Sequence, residues 1–149
     1  MLLIDHCDNC GSGGAQDVMA VVAEILRAGA GRRGDRADPR SRERWRQMID
    51  AGAGQTVALS ARRQGPTCRR SDWRGAPLEV AGRVGAITDG EFVITGPMYT
   101  GIRTYLGRTA VLEVQRRCIA QIVVTERAHE PFDLGVFTHA GIDPRASAT

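Results

Sequence analysis

The apolar positions of this chain follow a helical period in its first half and a strand period in its second. "LLIDH", a short apolar run closed by an Asp-Asn-Gly-Ser cluster, predicts a buried strand. After a glycine turn, "AQDVMAVVAEILRAG" predicts a helix in which Val18, Val21, Val22, Ile25 and Leu26 form one apolar face. Asp17 in its first turn and Arg27 in its last suit the helix dipole, and Gly29 is a natural stop. Strand, glycine turn and helix form the opening half of a βαβ unit. A second helix is expected to start at Asp38-Pro39, to carry Trp45, Met48 and Ile49 on one face, and to end near "AGAG". "QTVALS" follows as a strand.

From Pro77 the runs become β-type: "PLEVAGRVGAI", "EFVIT", "TAVLEV" and "RCIAQIVVT", separated by Asp89-Gly90, Gly96-Pro97 and Gly107. The Asp89-Gly90 pair predicts a hairpin between the first two runs. "PFDLGVFTHAGID" predicts a short closing helix with Phe132, Val136 and Phe137 inward and Gly141 as its stop. The expected fold is a single α/β domain over residues 1–149. A strand–glycine loop–helix first half joins a mixed sheet, and a mostly antiparallel β second half ends in a short helix. No internal repeat is visible.

Composition narrows the setting. The hydrophobic fraction of 42 % is ordinary for a globular chain. No apolar run approaches the roughly 20 residues of a membrane span, and "MLLIDHCD" is too short and too acidic for a signal peptide. A cytoplasmic protein with free thiols at Cys7, Cys10, Cys68 and Cys118 is therefore expected. All 20 basic residues are Arg, and 12 of them fall in "GRRGDRADPRSRERWR" (31–46) and "ARRQGPTCRRSDWR" (61–74). Those windows hold 7 and 5 Arg against 3 and 1 acids, while the rest of the chain holds 8 Arg against 13 acids. The basicity is local, and both Trp residues, Trp45 and Trp73, lie within it.

Several chemistries can be weighed. Cys7-Asp8-Asn9-Cys10 has redox-couple spacing, but the first Cys of such a couple belongs at a helix start, and Asp8 to Gly14 intervene here. As a zinc knuckle it offers two thiolates, with His6 nearby, and no second ligand pair. "GSGG" before a helix suits an anion or a close backbone approach, yet it fails the dinucleotide pattern at the last glycine and the P-loop pattern for want of Lys. His6, His129 and His139 are too dispersed in sequence to define a metal site, and no nucleophile–base pair is visible at local spacing. The Arg windows could attract nucleic acid or an acidic protein, but no nucleic-acid motif accompanies them, and no nucleic-acid partner is expected. A small Arg-rich binding module and a thiol protein using Cys7 and Cys10 remain the alternatives from other functional classes.

Five blocks taken together are more specific. "DHCDNCGSGGAQDVMAVVAEIL", "QMIDAGAGQTVAL", "GAPLEVAGRV", "DGEFVITGPMYTGIRTYLGRTAVLEV" and "EPFDLGVFTHAGIDP" resemble, in order, the C-terminal domain of MlrC-like proteins, the microcystin-degradation metallopeptidase relatives. Asp-Asn followed by Ser-Gly-Gly, then Gly-Pro-Met, then Gly-Ile-Asp-Pro carry most of the resemblance. It implies a zinc-dependent peptide or amide hydrolase whose metal ligands belong to an N-terminal domain absent from this sequence. That domain, in cis or in trans, is the expected partner. No metal ligand or catalytic residue is carried over to this chain, which alone is expected to be inactive. The one implied site is a cleft-facing or domain-contact loop at Asp8, Asn9, Ser12, Gly13 and Gly14.

The chain departs from the family pattern in the two Arg-rich windows, 31–46 and 61–74, and after "GIDP". Arg-rich, Lys-free text bearing Trp is what GC-rich coding DNA gives when read out of frame, so compensating frameshifts are one expectation for the windows and divergent surface loops the other. Missing strands would leave open edges and bare apolar faces.

Overall fold

The structure, a computed structural model, describes residues 10–12, 20–28, 33–37, 42–61, 78–115 and 119–146. A 3-10 turn at Cys10–Ser12 is followed by helix α1 (Ala20–Ala28), strand β1 (Arg33–Ala37), helix α2 (Arg42–Ala51) and strand β2 (Thr56–Ala61). Then come β3 (Leu78–Thr88), β4 (Glu91–Val93), β5 (Arg103–Tyr105), β6 (Thr109–Gln115), β7 (Ile119–Thr125) and helix α3 (Gly135–Thr138). Five strands form one mixed sheet in the order β1-β7-β6-β3-β2, and β4 and β5 form a separate pair. The α/β class and the antiparallel second half are as the sequence predicts; β1 alone runs parallel to its neighbour, β7.

Strand alternation builds the core. Ala110, Leu112 and Val114 of β6 face the same way as Ala120, Ile122 and Val124 of β7, with Leu112 opposite Ile122 in register. Val22 and Leu26 of α1, and Trp45 and Met48 of α2, belong to this cluster, together with Leu59, Val80 and Val84. The opposite face presents Val111 and Val123, which Phe137, Ala140 and Ile142 cover. Both faces of the central strands are thus dry, which is why β6 reads as a near-continuous apolar run rather than an alternating one.

Helix α2 keeps the predicted face, and its end is fixed by Gly52, at φ +86°, donating to the Met48 carbonyl at 3.1 Å. Trp45, inside the first Arg-rich window, is a core residue. Its indole Nε1 donates to the Arg108 carbonyl at 2.7 Å, and the Arg108 guanidinium sits 4.7 Å above the ring. Helix α1 is narrower than its sequence suggests: Val22 and Leu26, four residues apart, are buried while Val21 is exposed. The predicted strand "LLIDH", the helix residues before Ala20, Gly29, the Asp38-Pro39 start and most of 61–74 lie outside the described residues.

One strand is added to the sequence reading and two expectations are corrected. Strand β1 falls within the first Arg-rich window, where "RGDRA" has little strand propensity; the edge of β7 supplies its pairing. Asp89-Gly90 does not close a hairpin between β3 and β4. Both edges of β3 are occupied, by β2 and β6, so the chain leaves the sheet and β4 pairs with β5 instead. Gly90 makes that exit possible: it holds φ +75°, packs directly on the Gly107 carbonyl, and accepts the Leu106 N–H at 2.9 Å. The closing helix spans only Gly135–Thr138, and Phe132 precedes it with 39 % of its surface exposed rather than pointing inward. Val136 is buried, Phe137 is half-buried, and Gly141 is the stop. Gly141 and Ile142 donate to the Thr138 and Phe137 carbonyls at 3.1 and 3.2 Å, the paired bonds of a Schellman turn.

Candidate functional site

The β4–β5 pair and the segment from His129 to Arg145 meet at one end of the sheet. Asp133 joins them. Its Oδ1 accepts the Gly135 N–H at 2.6 Å, a local Asx-type turn that leads into α3. Its Oδ2 reaches across to the hairpin and accepts the N–H groups of Gly96 at 2.7 Å and Thr95 at 3.2 Å. These amides, Gly135 foremost, hold the carboxyl below the usual aspartate range despite the opposing effect of burial. Asp133 is therefore an ionised tie between two loops.

Behind it, a Cβ on Gly135 would run into the Phe92 ring, so the hairpin lies directly on the helix. Phe92 stacks on the His139 ring, centroids 5.6 Å apart. His139 Nδ1 lies 2.7 Å from the Gly135 carbonyl. A carbonyl only accepts, so Nδ1 carries the proton and Nε2 is left as a bare acceptor. Nε2 is buried without a hydrogen-bond partner. Burial pushes the His139 pKa down, outweighing the Gly135 and Val136 carbonyls, so the neutral ring is favoured.

In front of Asp133 runs a groove of about 390 Å³, with Thr95, Gly96 and Pro97 on one wall and Phe132, Asp143 and Arg145 among the residues opposite. The Gly-Pro of "GPM" and the Asp of "GIDP", 46 residues apart in the sequence, thus share one concave surface. Asp133 itself escaped the sequence reading; the available signal was an Asp two residues before a Gly at a helix start.

Of the predicted loop, Cys10, Gly11 and Ser12 are described, as the 3-10 turn, while Asp8, Asn9, Gly13 and Gly14 lie outside the described residues. Gly11 packs so closely on the Glu130 carboxylate that a Cβ would collide with it. The turn therefore reaches Glu130, two residues before Phe132, where the groove begins. Cys10 is a half-buried free thiol; Cys7, Cys68, Cys118 and His6 lie outside the described residues. His129 accompanies Phe132 edge-on, ring centroids 5.6 Å apart.

The fit to a metal is poor. Among the described residues no group of three or more His, Cys, Asp or Glu could hold an ion. Both oxygens of Asp133 are already engaged by backbone amides. These residues do not form a zinc site, and no catalytic step runs through one here.

Comparison with known proteins agrees with this architecture. No curated protein matches the chain. A crystal structure of a protein from Mesorhizobium sp. BNC1, named as a candidate metallopeptidase, superposes with a TM-score of 0.72 at 25 % identity, over 96 % of this chain and 27 % of that one. This chain thus spans about a quarter of the length of that relative. The model of the family described as "MlrC C-terminus" matches residues 3–149, nearly the whole sequence, and the chain belongs to that family.

Proposed function

We propose that this chain is the C-terminal module of a zinc-dependent peptide or amide hydrolase, and that the metal and the chemistry reside in an N-terminal domain supplied in cis or in trans. The family match over residues 3–149 carries this reading. Two observations support it: the structural relative is named for a metallopeptidase, and most of that relative lies beyond the overlap. A metal-activated water needs an open coordination position held by several ligands, and the described residues of this chain assemble no such set. The role left to the module is shape: Asp133 fixes the Thr95–Gly96 backbone against α3 and so sets the walls of the groove. The Asp8–Gly14 loop is the domain-contact element in this reading, and the cytoplasm is its setting.

Zinc content and peptide hydrolysis of the purified chain test the proposal. Neither stoichiometric zinc nor turnover is expected of the chain alone, and both are expected once it is joined to a metal-bearing domain of the family. Stoichiometric zinc accompanied by hydrolysis in the isolated chain would overturn it.

A further inference from the structure

Among the described residues, seven large apolar side chains are exposed, and six of them belong to one unit: Val93, Met98, Tyr99, Ile102 and Tyr105 on the β4–β5 hairpin, and Phe132 beside its tip. Random surface leucines and valines need no explanation, but a concentration of this kind marks a contact surface. The hairpin has two faces. Phe92 and Thr104, cross-strand partners, lie on the face that packs toward α3. Glu91 and Tyr105, and Val93 with Arg103, lie on the other, which is open.

The tip is held in shape. Tyr99 has φ +63°, a left-handed conformation unusual for a bulky residue. It is kept there by the Ile102 N–H donating to its carbonyl at 3.1 Å, the Gly101 N–H donating to the Ile94 carbonyl at 2.8 Å, and the Thr100 hydroxyl donating to the Gly96 carbonyl at 2.5 Å. Its ring meets Phe132 edge-on at 5.6 Å between centroids. Strain of this sort persists where a surface is fixed for use. Beside the tip, on the open face of the strands, Arg103 pairs with Glu91 at 3.2 Å and Arg127 lies 4.6 Å above the Tyr105 ring. An exposed apolar cluster with charged pairs beside it suits a protein interface.

We infer that the hairpin tip formed by Met98, Tyr99 and Ile102, together with Phe132 against which Tyr99 packs, is the docking face for the metal-bearing domain of the same family. The inference rests on the proposed function and adds the location of the contact. Two observations select this occupant. The structural relative carries nearly three-quarters of its length outside the overlap, so a domain of this kind is built to meet a larger body of protein. Gly11 of the Cys10–Ser12 turn lies against Glu130, two residues from Phe132, so this turn adjoins the apolar patch.

Met98 and Tyr99, 54 % and 56 % exposed, are natural reporters for hydroxyl-radical footprinting. The probe is a fusion in which the non-overlapping part of the Mesorhizobium protein is joined to this whole chain in place of its own matched domain. Oxidation of Met98 and Tyr99 is expected to fall by about tenfold in the fusion, as for side chains moved to a dry interface core, with Val21 on α1 unchanged. Unchanged oxidation of Met98 and Tyr99 in a fusion that binds zinc and hydrolyses peptides would overturn the docking face and leave the proposed function standing. Protection without zinc or turnover would support the face and count against the hydrolase reading. Protection at Val21 instead would move the contact to α1 and overturn the inference. Independently of how the fusion folds, the side chains equivalent to Met98 and Tyr99 in the intact Mesorhizobium protein should be buried by the part of that chain beyond the overlap; exposed equivalents would equally overturn it.

Discussion

Strand β6 and the β4–β5 hairpin are both antiparallel, both apolar in sequence, and neighbours along the chain, yet they are held by different physics. In β6, burial does the work: Val111, Leu112 and Val114 are covered on both sides of the sheet. In the hairpin unit, directional polar bonds share the work with the Phe92 contact on α3: one carboxylate binds three backbone amides, while Val93, Met98, Tyr99, Ile102 and Tyr105 stay exposed. A region stabilised by burial has nothing left to offer a partner. A region stabilised by hydrogen bonds can leave its apolar surface available.

The largest effect should come from the buried side. Leu112, 1 % exposed and facing Ile122, should cost about 2–5 kcal/mol as Leu112→Ala, measured by urea denaturation with an unchanged slope. A loss below about 1 kcal/mol would mean that the sheet centre is less tightly packed than described.

On the polar side, Asp133→Ala removes the acceptor for three amides and should cost about 1–3 kcal/mol. Hydrogen exchange gives the sharper reading: the Thr95, Gly96 and Gly135 amides should exchange faster while those of β6 stay protected. Equal acceleration in both regions would dissolve the distinction between them.

The two titrating groups respond to acid in successive windows. The folded-state pKa of His139 is depressed, so the unfolded chain takes up the proton first. The contribution of His139 is therefore complete above its ordinary value of 6.5 and is lost progressively as pH falls below it. Asp133 is also depressed, but as an acid; its contribution persists above its ordinary value of 3.8 and is lost as pH falls through the folded-state value. Stability measured against pH should thus decline from about 6.5 downward, and His139→Phe should flatten that limb while leaving the more acidic one.

The smallest effect probes the strained tip. Tyr99→Gly should leave the isolated chain unchanged or stabilise it by about 0.5–1 kcal/mol, because glycine holds a positive φ without steric cost. A clear destabilisation would show that the Tyr99–Phe132 contact outweighs the strain.

The sequence reached the elements that carry a strong local pattern. Helix α2 ends at glycines that take positive φ, its Trp45–Met48 face is buried, and the four β-type runs after Pro77 all contain strands. It missed what depends on pairing. Strand β1 has no strand-like composition and exists through its register with β7. Strand β5 was hidden in a turn-rich stretch, and its partner was misassigned because Asp89-Gly90 carries the same local signal whether the chain reverses within a sheet or leaves it. The predicted loop is a family mark, and its described turn lies against Glu130, just before the groove residue Phe132.

Periodicity, turn residues and block order, all local or one-dimensional properties, were enough to determine the fold class and the family. The meeting of Gly96, Asp133 and Asp143 was decided by the tertiary structure alone, because one carboxylate 37 residues from the loop whose amides it accepts closes that surface. The same holds for the outward face of the hairpin. Whether an apolar residue is core or interface depends on which strand edges are already taken, and no single stretch of sequence contains that information.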